Sequence, residues 1–149
     1  MQHVELNDFV RAKDLLLQSI RVEKTSGNNG DLVALKYALL AKLHLLLSEK
    51  QEGRHHLMNA LNYFQDDQLV RWDHAQVLFV ISELHLAFGE YQKAIVKAEK
   101  AYAIAENFNL KEIEMDACLV LAASYAGIKN YEKAYQFELI ADSLYKENK

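Results

Sequence analysis

Apolar residues recur at three- and four-residue spacing through almost the whole chain, which is the period of an amphipathic helix. Val10, Leu15, Leu16, Leu17 and Ile20 outline a first helix, closed by the breaker Thr25-Ser26-Gly27-Asn28-Asn29-Gly30. The same spacing predicts a second helix from about Asp31, a favourable N-cap residue, to Ser48, and a third from Gln51 to Gln65. Asp66 and Asp67 offer the next stop and cap. A fourth helix is expected from Gln68 to Phe88, ended by Gly89 as a C-terminal glycine. Three more follow over about Tyr91–Asn107, Leu110–Ile128 and Tyr131–Glu147. No stretch alternates with a period of two, so no strand is expected and the fold class is all-α with about seven helices.

The helices also repeat. Gly89-Glu90-Tyr91-Gln92-Lys93-Ala94 returns forty residues later as Lys129-Asn130-Tyr131-Glu132-Lys133-Ala134. A second small residue follows each alanine after seven positions, at Ala101 and Ala141, and the same spacing occurs at Gly53 and Ala60 and at Ala12 and Ser19. Each step is 40 or 41 residues. Upstream, His44, His85 and Tyr125 align, as do Leu40, Ile81 and Leu121, and the small residues Ala41, Ser82 and Ala122. Seven residues are nearly two helical turns, so each small pair shares one face and lets a partner helix approach closely. Stacked helix pairs are the expected result, each covering apolar surface that its neighbour could not bury alone.

Composition narrows the picture. At 149 residues the chain has ordinary one-domain length, and a single domain over residues 1–149 is expected. With 51% hydrophobic and 26% charged residues it is globular rather than disordered. Proline is absent, which excludes a proline-rich linker or polyproline ligand. A net charge of −4 provides no basic field for nucleic acid. No basic start precedes an apolar run at the N-terminus, so no signal peptide is expected, and no apolar stretch reaches the length of a membrane span. The compartment stays open between cytoplasm and periplasm.

Gly89-x-Tyr91-x-x-Ala94 with Ala101 resembles the second half of a tetratricopeptide repeat, and Leu78-x-x-Ile81-Ser82-x-x-His85-x-x-x-Gly89 resembles its first half. Tyr37, Leu78 and Cys118 stand where that family often has tryptophan, and His85 where it often has tyrosine. The family's repeat-end proline is missing, and the 40–41-residue period is longer than its usual ~34. The resemblance implies a long-repeat variety forming a right-handed superhelical array. A lone second helix over residues 1–26 would be followed by helix pairs over 31–66, 68–107 and 110–148. Tyr131-Glu132-Lys133-Ala134 with Asp142-Ser143-Leu144-Tyr145-Lys146-Glu147-Asn148 is similar to the last repeat of Bacteroidetes-type sensor proteins. That likeness implies the sensing portion of a histidine kinase or helix-turn-helix regulator, read as a piece of a longer chain.

Candidate chemistry is sparse. His55 and His56 are adjacent, so on a helix their side chains diverge, while His44 and His85 belong to successive repeats and stand too far apart to share a zinc ion. Both are expected to pack between helices with a hydrogen-bonded ring nitrogen. The single cysteine, Cys118, lies among Ala117, Leu119, Val120 and Leu121, which reads as a buried thiol rather than a nucleophile. Asp66-Asp67 and Glu112/Glu114 fall at helix starts and read as dipole partners. No phosphate loop, nucleophile elbow or His-Glu-x-x-His occurs. No catalytic residue, metal site or cofactor is expected, and a small helical metal protein using His44, His85 or Cys118 is the weakest alternative.

Binding is the stronger expectation. The resemblance implies a concave groove lined by the first helix of each pair: Leu35, Ala38 and Lys42, then Gln76, Phe79 and Glu83, then Asp116, Leu119 and Ala123. A carboxylate clamp for chaperone C-termini is not expected, since Ala38, Val80, Asp116 and Val120 replace its basic and amide residues. The partner would be a protein or peptide, with neither nucleic acid nor membrane engaged. Phe137, Leu139, Ile140, Leu144 and Tyr145 on the last helix are expected to leave apolar surface, which suggests self-association, chiefly through Phe137, Ile140 and Leu144, or docking of a further downstream helix, and a spacer with no groove ligand is the alternative.

Overall fold

The computed structural model describes residues 2–27, 30–64 and 71–147. Among these, every regular element is an α-helix: α1 Gln2–Thr25, α2 Gly30–Leu46, α3 Lys50–Tyr63, α4 His74–Ala87, α5 Tyr91–Asn107, α6 Lys111–Gly127 and α7 Tyr131–Glu147. α5 and α7 have the bounds that the apolar period predicts. α4 begins at His74, and its expected start at Gln68 lies outside the described residues. Ahead of it lies a turn joined by an Arg71–Asp73 ion pair of 2.9 Å, with Trp72 64% exposed, so no buried face holds a helix there. Asp31 sits inside the first turn of α2 instead of capping it. Asn28, Asn29, Asp66 and Asp67 lie outside the described residues.

The chain forms two compact units, Met1–Asp66 and Asp67–Lys149. In the first, α1 packs on α2 and α2 on α3. In the second, α4 pairs with α5 and α6 with α7, while α6 also packs on α5 and on α4. First helices are the inner ones: α4 buries nine of its fourteen residues and α5 only five of seventeen.

Burial follows the repeat. Leu40, Ile81 and Leu121 are fully enclosed, and Tyr37, Leu78 and Cys118 are buried one turn earlier. The small residues meet them from the second helices. Ala60, Ala94 and Ala101 have no exposed surface, and Ala134 and Ala141 keep 6% and 4%. A Cβ on Gly53 would stand 3.2 Å from the Ala41 carbonyl oxygen, so the α2 and α3 backbones nearly touch there. Side chains this short remove the spacer between two helices.

One turn geometry recurs at the end of each first helix. Ser48, Gly89 and Lys129 have φ of 62°, 74° and 65°. The next amide donates back five residues in all three, from Glu49 to His44, Glu90 to His85 and Asn130 to Tyr125, each at 2.8 Å. This is the Schellman end, which satisfies carbonyls that the helix leaves open. Only the middle copy uses glycine, the residue that takes a positive φ without cost to its side chain. Lys129→Gly should therefore stabilise the protein by about 0.5–1 kcal/mol, read as a raised urea midpoint. Gly89→Ala should lower it by about 1 kcal/mol.

Candidate functional site

In the second unit, α4 and α6, which carry two rows of expected groove residues at equivalent positions, pack on each other. Phe79 is half-buried and packs on the cluster containing Ala94, Ile95, Val120 and Leu121. Leu119, at its equivalent position on α6, is 51% exposed. Gln76 and Ala123 are exposed, and Glu83 and Asp116 are half-buried. The face is thus an apolar centre on a half-buried phenyl ring, with two carboxylates and an amide around it. Ser82, one turn inside, donates from Oγ to the Phe79 carbonyl at 2.6 Å, which satisfies its buried hydroxyl.

The first unit differs. Lys42 is exposed and Leu35 half-buried, but Ala38 is fully enclosed and offers no surface to a ligand. It occupies the place of Phe79 and Leu119, and a single methyl group does not reach past its neighbours.

Of the apolar residues expected to be exposed on the last helix, Leu139 and Tyr145 are exposed, while Phe137, Ile140 and Leu144 face inward. Phe137 lies parallel to Tyr125 with ring centroids 5.7 Å apart, and Leu144 closes over Cys118 with Ile140 at the edge of that cluster. Their spacing matches Ala134 and Ala141, so they share the side turned to α6. The apolar groups that α7 exposes are Tyr131, Tyr135, Leu139 and Tyr145.

The histidines pair in a way that alignment between repeats does not show. His44 stacks on His56 at 5.0 Å, His56 on Tyr37 at 5.8 Å and Tyr37 on Tyr63 at 5.6 Å. The Lys24 ammonium stands over both tyrosine rings. His85 is hydrogen-bonded as expected, donating from Nδ1 to Glu90 Oε1 at 3.2 Å. His44 is not: the Glu49 carboxylate lies 3.5 Å from its Nδ1 and makes no hydrogen bond with it. The missed column could have been read from α3, where His56 and Tyr63 fall on the same stripe as Gly53 and Ala60.

Burial, reinforced by His44 and His55, lowers the His56 pKa to about 4. Burial also lowers that of His85, although the Glu90 hydrogen bond pulls the other way. Both rings stay neutral in the folded chain after an unfolded histidine has taken a proton near its ordinary pKa of ~6.5. Between those values the unfolded state holds more protons, so stability falls as pH drops from 6.5 toward 4. For His56 the loss should be about 1 kcal/mol once screening by solvent at this half-exposed ring is included. Thermal unfolding at pH 7 and pH 4.5 checks this, and His56→Gln should flatten the dependence.

Cys118 is fully buried, and burial together with Glu114 and Glu106 pushes its thiol up to about 12. A thiol held protonated is a poor nucleophile. Among the described residues, no three His, Cys, Asp or Glu side chains converge as a metal site, and no helix is long and apolar enough to cross a membrane.

No protein-family model, curated protein or solved structure matches the chain. Its class rests on architecture: an all-α protein of helix hairpins repeated at 40–41 residues.

Proposed function

We propose that this protein is a non-catalytic interaction module of the tetratricopeptide type, which binds an extended peptide or a partner domain on the α4–α6 face. The observation that carries the reading is Leu119, an apolar side chain 51% exposed at the middle of a helix whose flanking Cys118 and Val120 are buried. Such a group, at the position equivalent to the half-buried Phe79 on the helix packed against it, is a natural anchor for an apolar side chain of a ligand. Glu83 and Asp116, each already engaged in an interaction, border the apolar centre with carboxylates that can accept a further hydrogen bond, so a segment pairing an apolar residue with lysine or arginine fits best. The likeness of the C-terminal repeat to sensor proteins supports a place within a larger signalling regulator.

Selection of peptides from a displayed random library against the purified protein tests this reading. Retained peptides should share an apolar–basic pattern, and Leu119→Asp should release them while leaving the melting temperature unchanged. If no sequence pattern emerges, or Leu119→Asp retains the same peptides, the face has no ligand of this kind and the spacer reading takes its place.

A further inference from the structure

Near the end of each first helix stands a ring, and a residue of the second helix recurs with it at the 40–41-residue period: His44 with His56, His85 with Lys97, Tyr125 with Phe137. In the last pair the two rings are parallel, tilted by 4° with centroids 5.7 Å apart. In the first pair they stack in the same way, at 5.0 Å and 21°. The middle pair places Lys97 where its charge opposes a proton on His85, and Glu90 of the turn holds that ring. Only between α2 and α3 are both members histidine.

That joint is interleaved. The column runs His44, His56, Tyr37, Tyr63, so its rings come alternately from α2 and α3. His56 is inserted between two rings of α2, and α3 leaves α2 only if His56 leaves the column. Apart from these rings, α3 fully buries just Gly53, Leu57 and Ala60 of its fourteen residues. A helix with so few enclosed side chains opens more readily than a core helix.

The groups around the column favour neutral rings. Asn59 Nδ2 donates to His56 Nδ1 at 3.5 Å, a bond that a doubly protonated imidazolium could not accept. On α3, His55 lies 5.4 Å from His56, and exposed Glu52 is outweighed by burial and by both neighbouring histidines. Glu49 of the α2–α3 turn is 3.5 Å from His44 Nδ1 without a hydrogen bond. From α1, the Lys24 ammonium stands over Tyr37 and Tyr63 at the other end, so the only group contributed there is a cation.

We propose that the interleaved His44–His56 pair is an acid-sensitive latch: uncharged, it holds α3 on α2, and a proton on His56 releases α3 while the second unit stays folded. Release gives the imidazolium the hydration that it lacks between two rings, and it uncovers Leu57 and Tyr37. The released ring takes its proton near the ordinary ~6.5 and the inserted one only near 4, so acid favours release across that interval. Tyr125 and Phe137 hold α7 on α6 from the same positions with no group that titrates there. The latch lies in the first unit and does not depend on the Leu119 face.

Hydrogen exchange on the full chain, read by mass spectrometry and corrected for the intrinsic effect of pH, tests this. Between pH 7 and pH 4.5, protection of the amides of residues 54–63 should fall about fivefold, and by more than that of α7. His44→Tyr with His56→Phe, which installs the ring pair of α6 and α7, should remove the fall in α3, and His56→Phe alone should do the same. Neither variant should alter the pH response of α4, which carries His85. Constant protection of α3 in the parent chain would overturn the proposal. So would an equal fall in α3 and α7, which marks unfolding of the whole chain, or a fall in α3 that both variants retain.

Discussion

Leu121→Ala should destabilise the second unit by about 2–5 kcal/mol, whereas Leu119→Ala, two residues away on α6, should change it by no more than about 0.5 kcal/mol. Both substitutions remove the same atoms. Leu121 is fully enclosed among Ala94, Ile95, Ala98 and Tyr125, where neighbours are held by helix backbones and collapse poorly into a void. Leu119 is 51% exposed and loses little burial. Urea unfolding of the two variants measures the difference. A similar loss for both would mean that α6 has no distinct inner and outer side, and the proposed binding face would go with it.

Ala94→Leu should cost about 1–3 kcal/mol or more by the opposite mechanism. Its methyl group has no exposed surface and sits in the same cluster as Val120, Leu121 and Ala134. Three extra carbons have no void to enter, so α5 must move away from α4 and α6, and contacts along the whole interface lengthen. Val96→Leu is the control, because Val96 is 52% exposed on the outer side of the same helix. The melting temperature should drop for Ala94→Leu and hold for Val96→Leu. If both hold, close approach at the small-residue stripe is not what joins the pairs.

These two contrasts show where sequence pattern is sufficient. The enclosed state of Leu121 and Ala94 is written in the chain twice, once as helical period and once as recurrence at 40–41 residues. The positive φ of Gly89 is similarly legible, since a glycine closing an apolar helix has one common use. Lys129 and Ser48 take the same conformation without that signal, because the turn is imposed by the helices on either side. Of the apolar residues on α7, Leu139 and Tyr145 are exposed, whereas Phe137, Ile140 and Leu144 share the spacing of Ala134 and Ala141 and turn to α6. Only packing distinguishes which side of a broadly apolar helix is covered.

The amino-acid sequence alone determined that the chain is helical, where most helices begin and end, and which small residues meet a neighbour. Those properties depend on spacing along one chain, and spacing is what a sequence records. The stack of His44, His56, Tyr37 and Tyr63 and the enclosure of Ala38 were decided by tertiary structure. Each depends on the distance and axial offset between two helices, which follow from the summed fit of many side chains and from no single local pattern.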